Sequence, residues 1–334
     1  MLTYEHHRDR VEGGVVAAGL AWLVGIFLRE AGAFPHAWQT MIPLAVFVLG
    51  TWARAWGYYA AVAVLLWPLW LLSPYLMTFF LAITVLPQKW IIDALPWALL
   101  VASAPLLAEW QMVGMVTLLA GLLVGATAGW WAGVFTALWL KVVAALCGWV
   151  PEIGALYGAS FALDLIRSRV VDATLLEIVA LVVEPFSQSP SLLFLHVVQI
   201  GAWGLAGWLV GKVRQIDWRN EEPLFPFAPA LAPGVLVLWV AMFVVPAWLG
   251  FEPLTRFLTY RLPTVGLAVS ALAAALLTTV AEDVLRPVHP TPRRGAIHTR
   301  HRGRVEASNL LRRNEHIRPE SSMNEDEVIG LEVD

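Results

Sequence analysis

Charge is what this chain has least of. Of its 334 residues 14% are charged and 59% are hydrophobic, against about 25% and about 45–50% in an ordinary soluble domain. That imbalance excludes a soluble globular fold. Cysteine is almost missing as well: Cys147 stands alone in an apolar segment, which rules out an internal disulfide or a thiolate metal site. It reads as a small buried apolar residue. No GxxxxGK[ST], no HExxH and no paired Cys/His set occurs, so the sequence offers no phosphate-binding loop and no zinc site. Nothing in it requires a cofactor.

What the chain does have is long apolar runs. Gly13 to Leu28 is long enough to cross a bilayer core, which takes about 20 residues with a tolerance of a few. Arg29 and Glu30 separate this run from the Ala31-Gly32-Ala33 that would imitate a cleavage site, which favours a retained helix over a signal peptide. Trp38 to Leu86 reads as two or three spans, with Arg54 near a membrane surface and Pro68 and Pro74 as interruptions. After a polar turn at Gln88, Lys89 and Asp93 come Ala94 to Ala108 and then Val113 to Val150. Ser191 to Gly211, Gly234 to Phe251 and Thr264 to Ala281 are further spans. Between them, Ile153 to Ile166 and Ala173 to Phe186 are short enough to be re-entrant or interfacial. The expected fold is an all-α polytopic transmembrane bundle of about 8–10 spans: a polar lead-in over 1–12, a membrane domain over 13–285 and a disordered charged tail over 286–334.

Val113 to Val150 organises the rest. Gly121, Gly125, Gly129 and Gly133 recur every fourth residue, and on a continuous helix they advance by about 40° per step, tracing one winding groove. Bare backbone lets a second helix approach closely, inside the chain or on a partner subunit. The run is long for one span and short for two, so a tilted helix and a hairpin near Trp130 and Trp131 are both open. Gly207 and Gly211 offer a second close-packing face.

Ionisable and strongly polar groups at membrane depth are costly and raise a functional question by default. Lys141, Asp164, Glu177, Glu184, His196 and Gln199 are the candidates. Lys141 lies beside the glycine groove and either points into the bundle, with Asp164 or Glu177 as its natural partner, or snorkels to the headgroups. His196 and Gln199 are three apart and share a helix face. They line a polar cavity or tie two helices together. Glu177 and Glu184 fit the wet face of an interfacial helix. The 18 tryptophans suit bilayer interfaces, as at Trp90, Trp97 and Trp110 beside proline or charge.

From Arg286 to Arg318 there are nine arginines together with His289, His298, His301 and His316, and from Glu320 to Asp334 six acids and no basic residue. Such a segment cannot bury a core. By the positive-inside rule it is cytoplasmic, and Arg8 and Arg10 put the N-terminus on the same side, giving an even number of spans. The tail meets anionic lipid or a protein partner at the membrane before it meets nucleic acid, which is not expected as a partner. His298 and His301 match no closed zinc site.

Three functions remain in play. The first is a small-solute permease, or the membrane subunit of a transport system, in a bacterial inner membrane. The second is a membrane scaffold acting through its charged tail. The third is an intramembrane enzyme, on the strength of Gly158-Ala159-Ser160-Phe161-Ala162, which approaches GxSxG but lacks its last glycine, with His196 downstream. No complete catalytic motif supports the third, and the expectation is a protein without catalysis.

Overall fold

The computed structural model describes residues 2–149, 161, 163–215, 227–250 and 261–285, and among these every regular element is helical. The chain divides into two units, Met1–Glu282 and Asp283–Asp334. The run near Ser160, residues 217–222, Arg256 and the whole tail beyond 285 lie outside the described residues.

The first helix, α1 (Leu2–Ala31), takes in the polar lead-in, which continues directly into the apolar stretch. A hairpin of α2 (His36–Trp52) and α3 (Arg54–Leu72) packs on it, the chain breaking at the extended Ala53. Glycine sets how closely these helices approach. A Cβ on Gly57 would stand 2.5 Å from the Gly50 Cα, and one on Gly50 would stand 2.8 Å from the Ala17 Cβ. Arg54, at the break, pairs with Glu12 at 3.6 Å. Pro68 does not end α3 but lies within it, whereas Pro74 opens α4 (Pro74–Val85) behind the Ser73 cap. At a helix's first position proline gives up only a donor that has no partner there. Short helices follow: α5 (Gln88–Asp93), α6 (Leu95–Ala102) and α7 (Ala104–Glu109).

The central run is not one helix. Gly125 has φ +109° and ψ −174°, a conformation open essentially to glycine alone, and it separates α8 (Gly114–Val124) from α9 (Ala126–Cys147). The two fold back on each other, so that a Cβ on Gly129 would lie 2.9 Å from the Gly121 Cα. This corrects both the single winding groove and the turn expected near Trp130 and Trp131, which sit a full turn inside α9. Gly148, left-handed at φ +74°, closes α9.

Next come α10 (Leu163–Val170), α11 (Leu175–Ser187) and the 25-residue α12 (Pro190–Arg214), capped by Ser189. Then α13 (Ala228–Trp239) runs through a π-helical turn at Val240–Val244 into α14 (Val245–Trp248). Pro246, which cannot donate to the turn before it, accounts for that local widening. The last helix is α15 (Arg261–Leu285).

Among the described residues six helices are long and apolar enough to cross a membrane: Glu12–Ala31, Arg54–Leu72, Ala126–Cys147, Pro190–Arg214, Ala228–Trp248 and Thr264–Glu282. Pro74–Val85 and Gly114–Val124 are apolar but shorter. Outward faces are apolar as well, as at Val265, Val269, Leu272, Leu276 and Val280 on α15. Water penalises such a surface and hydrocarbon does not. A multi-pass membrane protein is the class these helices fit.

The largest core gathers Leu118 and Leu122 of α8, Ala137 and Leu140 of α9, Trp203, Ala206 and Val210 of α12, Leu238 of α13 and Leu267 of α15. Thus α12 and α9 form the centre, with α8 and α13 against them.

Candidate functional site

Helices α9 and α12 run antiparallel, and glycine fixes their register. Gly129 abuts the Gly207 carbonyl, Gly133 abuts the Trp203 carbonyl, and Gly211 abuts Ala126, so contacts advance along one helix as they retreat along the other. Gly121 of α8 joins the same seam, since a Cβ there would lie 2.5 Å from the Gly207 oxygen. At each of these positions an added methyl collides with backbone, which cannot swing aside as a side chain can. The close packing is therefore within the chain, and glycines of three helices share it.

Two turns beyond Gly133, the same register brings Lys141 of α9 to His196 and Gln199 of α12. The Lys141 Nζ lies 2.8 Å from the His196 Nδ1 and donates to the Gln199 Oε1 at 2.7 Å. All three side chains are buried, at 0%, 1% and 0% exposure. Between two nitrogens in contact one must be the acceptor. A charged lysine therefore meets a neutral His196 whose proton is on Nε2, while a protonated His196 Nδ1 meets a neutral lysine. Both cannot be protonated with the contact intact. The ring of Phe186, edge-on at a centroid distance of 4.9 Å, packs against His196.

Lys141 is six residues, about 9 Å, from the Cys147 end of a helix some 33 Å long. Burial at that depth corrects the snorkelling alternative. The carboxylates expected beside it are elsewhere. Asp164 is exposed on α10. Glu177 is exposed at the start of α11, where its carboxylate accepts from the Thr174 backbone N–H at 2.6 Å and from the Thr174 hydroxyl at 2.9 Å. Those bonds form a capping box and hold the Glu177 carboxyl below its ordinary value. Glu184 is likewise exposed.

Further polar atoms lie buried along the same two helices. The Gln199 Nε2, the Thr136 Oγ1 and the Trp203 Nε1 make no hydrogen bond, although each side chain is at 0% exposure. Buried donors are nearly always satisfied, so spare capacity at three neighbouring positions of one seam is unusual. Sequence spacing pointed to Gln199; Thr136 and Trp203 carried no signal of their own, since each reads as an ordinary member of an apolar helix. At the far end of α12, Arg214 pairs with Glu282 of α15. Among the described residues no three His, Cys, Asp or Glu side chains gather as a metal site requires. Comparison with protein-family models, curated proteins and solved structures returns no match.

Proposed function

We propose that this chain is a multi-pass membrane protein that moves a small solute, alone or as the membrane subunit of a transport system, with the α9–α12 seam as its polar path. One observation carries the reading: Lys141 is wholly buried in a bilayer-length helix, bonded to His196 and Gln199. Placing a lysine at such depth costs about 2.5–3.5 kcal/mol on insertion scales. Adhesion alone does not call for that cost, because the glycine contacts already lock the two helices. The spare donors of Gln199, Thr136 and Trp203 supply hydrogen-bonding capacity for water or a polar solute. The single proton shared by Lys141 and His196 makes the seam sensitive to protonation, since a second proton parts them.

Aqueous access tests this. In a Cys147→Ala background, single cysteines are placed at Gln199, Lys141 and His196, with Val197, 58% exposed on the outer face, as the lipid-side control. The expected result in intact membranes is labelling of position 199, and of 141 or 196, by a water-soluble maleimide, with 197 protected. Protection at all three seam positions would make the cluster a dry tie and overturn the reading.

A further inference from the structure

A cleft of about 420 Å³ opens on the outer face of the α9–α12 pair, lined by Thr127, Trp130, Leu205 and Trp208. Its shape is set by a glycine. The indole of Trp130 lies against Gly204, where a Cβ would stand 3.0 Å from the ring and 2.8 Å from Val134. With that seat filled by the indole itself, Trp130 forms one wall; Trp208, one turn along α12 from Gly204, forms the other. Lys212, one further turn on and outside the lining itself, has its ammonium 5.9 Å from the centroid of the Trp208 ring, which puts a cation beside that wall. Because Gly211 abuts Ala126, Lys212 lies level with the start of α9, at the end of both long helices. Thr127, exposed on that first turn, adds the one hydroxyl to the lining.

The cleft thus offers indoles, hydrocarbon and one hydroxyl, with a cation beside one wall. A phospholipid presents the matching set: phosphate, ester carbonyls, acyl chain. We infer that this cleft binds one anionic phospholipid, its phosphate on Lys212, its glycerol esters at Thr127 and an acyl chain against Trp130, Leu205 and Trp208. Charge complementarity selects the acidic class. Lys212 is exposed and held by a cation–π contact alone among its described contacts, whereas the nearby Arg214 is engaged by Glu282 and by the ring of Phe227. The cleft is open and shallow, which suits a ligand that lies along a helix pair and enters sideways from the bilayer. Tryptophan and lysine at a helix end are the residues that anchor such an interface.

The inference rests on the membrane reading, and the test separates the two. Full-length protein is purified in detergent, and retention of dioleoyl phosphatidylglycerol and dioleoyl phosphatidylcholine is compared by native mass spectrometry in the wild type, Lys212→Gln and Leu205→Trp. The arginine-rich tail is common to all three and cancels in the comparison. A single basic residue at a membrane surface is worth about fivefold in affinity for an acidic lipid. Lys212→Gln is expected to lose about that factor for phosphatidylglycerol and to leave phosphatidylcholine unchanged, while Leu205→Trp, which fills the cleft, lowers retention of both. Equal phosphatidylglycerol retention in wild type and Lys212→Gln overturns the site, as does unchanged retention of both lipids in Leu205→Trp. Alkaline carbonate extraction of the wild type from native membranes reads the premise. A protein released by carbonate fails the membrane reading and the lipid site together; one that stays, with Lys212→Gln indifferent, fails the lipid site only.

Discussion

Lys141 does two separable things, and two substitutions tell them apart. Its aliphatic stem fills space between α9 and α12, and its Nζ bonds the His196 Nδ1 and donates to the Gln199 Oε1. Lys141→Met keeps the stem and strands those polar atoms, so it is expected to cost about 1–2 kcal/mol, the usual penalty for buried groups left without partners. Lys141→Ala strands the same atoms and also opens a cavity, so about 3–4 kcal/mol is expected. Equilibrium unfolding in mixed micelles measures both, and equal losses would show that packing of the stem contributes nothing. At this scale part of the site was legible from sequence. The spacing of three put His196 and Gln199 on one face, and an isolated lysine in an apolar run marked itself out. The partner was not legible, because electrostatic reasoning favours a carboxylate, whereas register along two helices decides who meets whom. Asp164 and Glu177 belong to short helices whose acids face outward, and Glu177 is spoken for by Thr174.

The elements are held by glycines in two distinct roles. Gly125 is a hinge, and only a residue without Cβ adopts its φ of +109° at no strain. Gly129 and Gly207 are contact points, each facing the other's backbone. Gly201, on the same α12, has nothing within 4 Å of the position its Cβ would take. Gly129→Ala and Gly207→Ala are each expected to lose about 1–3 kcal/mol, as overpacked cores do. The double variant is expected to lose clearly less than the two together, because one separation of the helices relieves both clashes. Gly201→Ala removes a mid-helix glycine with no clash and is expected to gain up to about 1 kcal/mol. Thermal unfolding in detergent of these four proteins checks the set, and additivity of the first two would break the proposed register. Four-residue spacing announced that the central run packs closely. It did not announce the break, because a glycine inside an apolar run looks the same whether it packs or turns, and neither proline nor a polar residue stands beside Gly125 to mark a turn. The close contact of Gly50 with Gly57 across the extended Ala53 falls outside that pattern, since the two glycines are seven apart and form no four-residue ladder.

For the molecule as a whole, the question is which way it faces. Composition alone excluded a soluble domain, and the six long apolar helices agree with that. A count of eight to ten crossings depended on short segments, and length does not say whether Pro74–Val85 or Gly114–Val124, at 12 and 11 residues, crosses or only dips. Orientation is a prediction from where basic residues lie. Lys212 and Arg214 close α12, and nine arginines follow Leu285, so the positive-inside rule predicts both on the cytoplasmic side. With α12, α13–α14 and α15 each crossing once, the same rule predicts that the Ser187–Pro190 turn faces outward. Alkaline phosphatase fused after Asp334 is expected to be inactive, and a fluorescent protein at that position to be bright; phosphatase fused after Gln188 is expected to be active. Were the fusion after Asp334 active instead, the arginines would lie outside, and Lys212 with its tryptophan cleft would face the opposite leaflet. An anionic lipid bound there would then come from a leaflet that carries little acidic lipid, so this one orientation experiment bears on the lipid site as directly as on the topology.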